Sequence, residues 1–306
     1  MELAWQKIEF NNEQIEQLRS RIYEYALQHP NEIMIEDLRS RITPPGEVGP
    51  SMAIKDWMLK RYLAYAKPKL NVEAATKNLI EFFKFRHQQK VYNLTFANSF
   101  PIEFYQLQMF SDHCYDRHGN KVAILRSKFY RSWPLLDAFV KRGLLCYTEH
   151  YDRLFEEGKF PGLVLLFDVT DFDYIRHTNI DSINFILSLQ QYYPGVLKQC
   201  IAYNLPTPLY WIIRMFQLVA NRLFPSRHHM IVSIRDNELD DYIDREQRPQ
   251  CLNGLLTDKP FPDGVVPFEE FLEKLRSQND AIIEKFEENE IKRCRQLIQD
   301  CQDNEG

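Results

Sequence analysis

The run GLVLLFDV at 162–169 constrains this chain more than any other feature. It is short, continuously apolar and rich in β-branched and aromatic members, which suits a strand buried on both faces, as in a parallel sheet. The neighbouring segments agree with that reading. DRHGN at 116–120 is a turn signal and precedes the apolar strand KVAILR. Pro134 suits a first helical turn, and a helix is expected from there to about Glu157. Thr178 is placed to cap a further helix reaching about Tyr193. QCIAYN at 199–204 and MIVSI at 230–234 read as strands, separated by an apolar helix from Pro208 to Phe224. This β-α-β-α-β-α-β order predicts a mostly parallel sheet with right-handed crossovers.

The first hundred residues read instead as helices. Glu13–Gln28 has apolar residues at 15, 18, 22 and 25–26, a helical spacing. TPPGEVGP at 43–50 breaks the chain; Ser51 then precedes a helix to about Lys67, which Pro68 ends. Asn71 is expected to cap a helix to about Gln89, whose face Ala75, Leu79, Phe82, Phe83 and Arg86 sets aromatics against a neighbour. At the other end, Pro267–Asp300 reads as one long charged amphipathic helix. Phe268, Phe271, Leu272, Leu275, Ile282, Phe286 and Leu297 lie along one side of it. The expected organisation is a helical region over 1–100, an α/β domain over 101–260 and a C-terminal amphipathic helix over 261–306.

Composition narrows the function classes. A net charge of −5 argues against a general nucleic-acid binder, because phosphate contacts need a basic excess. Cys114, Cys146, Cys200, Cys251, Cys294 and Cys301 form no C-x-x-C pair and read as free thiols in a reducing compartment. The N-terminal MELAWQKIEFNNEQ has no basic-then-apolar signal pattern, and no run approaches the roughly 20 apolar residues of a membrane span. A cytoplasmic protein that touches membranes transiently is therefore expected. Only ten glycines are present, and neither G-x-G-x-x-G nor G-x-x-x-x-G-K-[ST] occurs, so no nucleotide cofactor is expected.

One helix exceeds what a sheet cover needs. Thirteen of the 17 residues from Pro208 to Phe224 are apolar or aromatic. The four polar ones, Arg214, Gln217, Asn221 and Arg222, cluster on an arc of roughly 140° at about 100° per residue, leaving about 220° apolar. Packing on one sheet face requires a stripe of only about 100° or somewhat more. A second apolar body must meet the rest: another helix, or an apolar ligand and a membrane. Arg222, Arg227, His228 and His229 follow at its C-terminal end. Cations there suit the helix dipole, and equally an anionic headgroup or membrane surface.

Several segments together resemble the CRAL-TRIO lipid-binding family. RYLAYAKPKLNVEAATKNLIEFFKFR (61–86) is similar to its N-terminal helical signature, with an Arg-aromatic-Leu helix and a closing aromatic-Arg pair. DRHGNKVAILR resembles its first strand, and LVLLFDVTDF the central strand ending in aspartate. YYPGVLKQCIAYNLP (192–206) resembles the tyrosine-proline turn, strand and Asn-x-Pro exit. The resemblance covers about 51–256 and is nearest the branch related to motile-sperm-domain-containing proteins.

The resemblance implies an α/β fold: a helical N-terminal region, then a mixed, mostly parallel sheet flanked by helices and enclosing an apolar pocket. It further implies binding, and transfer between membranes, of a hydrophobic ligand or phospholipid, without catalysis and without a cofactor or metal. Pro208–Phe224 becomes a mobile gate helix, with Leu209, Ile213 and Phe216 facing the ligand. Leu163, Leu165, Phe167, Cys200 and Ala202 become the pocket floor, and Arg222, Arg227, His228 and His229 the headgroup or membrane contact. Two departures bear on the ligand. Members that bind phosphatidylinositol carry Glu after tyrosine-proline and pair it with a Lys beyond the gate; here Gly195 stands first, and Arg227–His229 offers no lysine. The family's terminal Leu-Pro-x-x-aromatic-Gly-Gly has become RPQCLNG (248–254), which keeps Gly254 alone of the glycine pair.

Other readings start from the chemistry. Asp168, Asp171 and Asp173 follow a buried strand, where Mg²⁺-dependent phosphohydrolases place aspartates, but the D-x-D spacing directly off the strand is missing. Strand-end aspartates also cap turns. His113, Cys114 and His118 offer metal donors with no fourth ligand nearby. A ligand-free interaction module would use the C-terminal helix to dock a protein partner.

Overall fold

Asn11 begins the first helix by chemistry that its type supplies: the side-chain carbonyl accepts the backbone N–H of Glu13 at 2.9 Å. This computed structural model describes residues 8–37, 55–156, 162–170, 180–208, 210–211, 231–257, 262–278 and 288–305. The chain divides into two units. One comprises Met1–Leu94, Thr148–Pro161 and Ile186–Val196; the other comprises Thr95–Tyr147, Gly162–Phe185 and Leu197–Gly306.

In the first unit, α1 (Asn12–Gln28), α2 (Lys55–Tyr65) and α3 (Val72–Gln88) pack together. Asn71 caps α3 as expected, accepting from the Ala74 N–H at 2.8 Å. The arginines of the sequence signature are the electrostatic centres of this unit. Arg61 is fully buried, pairs with the equally buried Asp152, and lies 4.4 Å from the Trp57 ring centre. Arg86, also buried, donates to both carboxylate oxygens of Asp37 at 2.7 and 2.8 Å and to Glu149. Burial alone would lower its pKa, but Glu149 and Asp37 outweigh that and raise it, so the guanidinium stays charged. Tyr193 donates its hydroxyl to Glu149, and burial first, then that carboxylate, holds the phenol neutral. Phe85 stacks on Tyr192 at 4.2 Å. The signature spacing is thus the spacing of two buried ion-pair hubs on neighbouring helices.

The second unit holds a five-stranded sheet among the described residues. Its strands are β1 (Phe110–Tyr115), β2 (Lys121–Arg126), β3 (Leu163–Asp168), β4 (Leu197–Tyr203) and β5 (Ile231–Ile234), side by side in chain order. β1 pairs antiparallel with β2, and the remaining three pairings are parallel. The mixed, mostly parallel sheet of the sequence reading is present. Its antiparallel edge strand is additional: a register shift between Ser111 and Cys114 interrupts the two-residue alternation that marks a strand in sequence.

The two faces of the sheet are covered differently. Cys114, Val122, Ile124, Val164, Leu166, Ile201, Tyr203, Val232 and Ile234 form one face, with Leu239, Ile243 and Leu252 packed on it. Leu239 and Leu252 come from short 3₁₀ turns at Asp236–Asp241 and Gln250–Leu252, which carry no helical period in the sequence, and Ile243 comes from the bend just after the first of them. After the short helix α4 (Ile102–Gln106), the opposite face meets α5 (Pro134–Glu156), whose Tyr147 stacks on Phe110 of β1 at 4.2 Å. Gly143 lets α5 close in, since a Cβ there would fall 1.8 Å from the Phe100 ring. Asp137 of α5 accepts from Tyr130 at 2.9 Å and from Ser182 of α6 (Ile180–Tyr192), tying both crossover helices together.

The C-terminal region differs from the single long helix expected. The described residues give α7 (Phe268–Ser277), closed by the Gln278 N–H on the Lys274 carbonyl at 3.1 Å, and α8 (Glu288–Glu305). Ile282 and Phe286 lie outside the described residues. Phe271 packs edge-on against Phe139 of α5, and Glu290 of α8 accepts the Leu135 N–H at 2.9 Å. Ile291, Cys294, Leu297 and Ile298 of α8 are buried. A backbone turn at Gln278 is what the apolar positions along one side could not reveal.

Candidate functional site

Side chains alternate between faces along a strand, so register decides which residues can line one surface. Leu163, Leu165 and Phe167 of β3 share the face turned toward the crossover helices, opposite Val164 and Leu166. Leu165 lies beside Cys200 of β4, and Phe167 beside Ala202. All five residues read from the sequence as a pocket floor therefore occupy one continuous surface. β5 extends it: Ser233 stands beside Ala202 and points away from Val232 and Ile234. The sequence reading passed over Ser233, although a hydroxyl inside the run MIVSI was a visible signal.

Burial varies along this surface. Leu163, Leu165, Cys200 and, on β5, Ser233 are buried, whereas Phe167 and Ala202, near the C-terminal ends of β3 and β4, are half-buried. Ligands in open α/β sheets meet the C-terminal ends of the strands. Apart from Ser233 the surface is apolar, and burial pushes the Cys200 thiol up to about 12, so it is a neutral, weakly polar group at ordinary pH. Iodoacetamide at pH 8 should leave Cys200 unmodified until the protein is denatured, as read by peptide mass mapping. Rapid labelling in the native state would show that this surface is open to water.

After β4 the chain leaves through Asn204, whose φ of +56° is a left-handed conformation that Asn tolerates better than most residues. Its N–H reaches the Ile234 carbonyl at 3.0 Å. Tyr210 then anchors the next turn: its hydroxyl meets Glu238 at 3.2 Å, and the Arg235 guanidinium lies 4.4 Å from its ring centre. Trp211, beside it, is 58% exposed. Leu209, Ile213, Phe216, Arg222, Arg227, His228 and His229, with most of the expected gate helix, lie outside the described residues.

The residues of the rival readings have local roles. Asp168 sits on the opposite face, near Arg126 at 3.9 Å, and accepts both the N–H and the hydroxyl of Thr170. It caps the strand exit, as strand-end aspartates do. Asp171 and Asp173 lie outside the described residues. Cys114 is buried, with its sulfur 3.8 Å from the Val122 carbonyl. Among the described residues no three His, Cys, Asp or Glu side chains are grouped to hold a metal.

The departures from the family pattern have backbone causes. Gly195 follows Pro194 in a turn closed by the Val196 N–H on the Tyr193 carbonyl; its φ is +82°, and a Cβ would lie 2.5 Å from the Tyr65 hydroxyl. Positive φ after proline is the type II turn pattern, and it demands glycine here. Asn253 stands where the first glycine of the terminal pair would be and keeps the left-handed backbone, with φ of +57°. Gly254 is required outright, since a Cβ would fall 2.0 Å from the Arg248 carbonyl oxygen.

With this geometry in place, three comparisons with known proteins are informative. Residues 106–254 match the family model of the CRAL/TRIO domain. Among solved structures 47 chains match. One is the crystal structure of Sfh5, at a TM-score of 0.51 and 18% identity, covering 89% of this chain and 99% of that one. That likeness concerns the fold. Comparison with curated proteins returns no match.

Proposed function

We propose, on the premise that residues 106–254 belong to the CRAL/TRIO domain family, that this chain encloses one hydrophobic molecule against the α5 side of its sheet. CRAL/TRIO domains bind lipids or hydrophobic small molecules. The observation that carries the reading is the register-aligned surface Leu163, Leu165, Phe167, Cys200 and Ala202, half-buried at Phe167 and Ala202. Function on this reading is exchange, not chemistry. Each buried methylene stabilises by about 0.8 kcal/mol, so a long chain is retained without polar contacts.

Pro208–Phe224 acts in this proposal as the gate, with Leu209, Ile213 and Phe216 toward the ligand. The support is its apolar arc, too wide for a sheet alone. Its head carries the exposed indole of Trp211, a side chain suited to a membrane–water interface. Arg222, Arg227, His228 and His229 would meet anionic headgroups as the gate opens, giving a cytoplasmic protein that visits membranes transiently. Among the described residues no helix is long and apolar enough to cross one. The Glu–Lys pair for an inositol headgroup is not available from Gly195 and 227–229, so the cargo is read as a lipid held chiefly by its apolar part. Native mass spectrometry of the purified protein, with extraction of whatever co-purifies, tests this. One lipid per chain is expected; a protein that stays empty after incubation with mixed-lipid vesicles would refute the carrier reading.

A further inference from the structure

Ser233 is fully buried, yet its hydroxyl has no hydrogen-bond partner among the described residues. Buried hydroxyls are nearly always paired, because water is given up and nothing replaces it otherwise. The location of this one is specific. Ser233 stands in register with Ala202, which stands in register with Phe167, so the hydroxyl belongs to the surface assigned above to the ligand. Val232 and Ile234, on either side of it, point into the opposite core. Cys200 and Ala202 on the neighbouring strand offer no strong acceptor, and the Cys200 thiol is neutral.

Resting on the proposed lipid-carrier reading, we infer that Ser233 is the polar contact of the pocket: its hydroxyl donates to an oxygen set among the apolar carbons of the ligand. The cargo is thus an ester-bearing lipid, recognised by a carbonyl, rather than a plain hydrocarbon or an all-ether lipid. An apolar surface holding one hydroxyl sorts ligands by where an oxygen lies along their length, since a methylene placed against the hydroxyl leaves it unpaired.

Three probes presented in vesicles separate the possibilities: dioleoyl phosphatidylcholine, its dialkyl ether analogue without carbonyls, and cholesteryl oleate. Wild-type protein should load at least one of the two esters about fivefold better than the ether lipid, equivalent to about 1 kcal/mol at 1.4 kcal/mol per factor of ten. Ser233→Ala should erase that preference while loading the ether lipid unchanged, and Ser233→Thr should retain it. Which ester shows the dependence identifies the carbonyl as that of a phospholipid or of a neutral ester. A second readout separates recognition from folding. Ser233→Ala should hold or raise the melting temperature of lipid-free protein, where the unpaired hydroxyl is lost, and lower that of ester-loaded protein. The same ester preference in wild type and Ser233→Ala, or a lowered melting temperature in both states, would overturn the role of Ser233 and leave the carrier reading standing. Failure of wild type to load any probe would overturn both.

Discussion

Replacing Asp152 by Asn, or Arg61 by Met, is expected to destabilise the first unit by about 3–5 kcal/mol. Both side chains are fully buried and paired, so either change strips a counter-charge from an ion that cannot return to water without unfolding. Arg61 additionally lies against the Trp57 ring, and its loss removes packing as well as charge. In a chain of this size that loss lowers the melting temperature by on the order of 10 °C. Replacing the two together, Arg61→Met with Asp152→Leu, should recover most of the loss, because an apolar pair of similar volume carries no desolvation cost. Calorimetry of the two single variants and the double one provides the check. Single variants within 1 kcal/mol of wild type would show that water reaches this pair.

The second large effect concerns the cargo. Ala202→Trp should abolish lipid loading with only a modest cost to folding. Ala202 is half-buried between Phe167 and Ser233 on the surface proposed for the ligand, so an indole there occupies the place of acyl carbons. Overfilling a well-packed core costs about 1–3 kcal/mol, and a site that ordinarily holds a ligand tolerates the added volume better than that. A companion change, Ile213→Asp, tests the same proposed pocket from the proposed gate. It sets a carboxylate in the apolar arc, and loading should fall for the different reason that a charge cannot be desolvated there. Loading is read by native mass spectrometry, and folding by circular dichroism. Full loading of both variants would place the ligand elsewhere.

Periodicity and capping chemistry determined the elements: Asn71 caps α3, Pro134 opens α5, and GLVLLFDV is the central strand. They succeed because a cap, a period and a two-faced apolar run act over a few residues and need no partner distant in the chain. The shared face of Leu163, Leu165 and Phe167 was legible for the same reason, since alternation is a property of the strand itself.

Tertiary structure decided what depends on approach between distant segments. Cys200 is placed beside Leu165 by pairing register, which strand β4 alone does not specify. Gly195 looked like the loss of a ligand contact, but its left-handed φ, in a turn beside Tyr65, strains any other residue. The charged pairs Arg61–Asp152 and Arg86–Glu149 link residues 91 and 63 positions apart, and no local pattern announces them. Ser233 is the sharpest instance. Sequence presents it as one small polar residue in an apolar strand; only its burial, its face and its lack of a partner among the described residues make it a candidate for reading the cargo. A strand's own residues determine alternation, whereas the cost of a buried hydroxyl is set by whatever the rest of the chain does or does not bring to it.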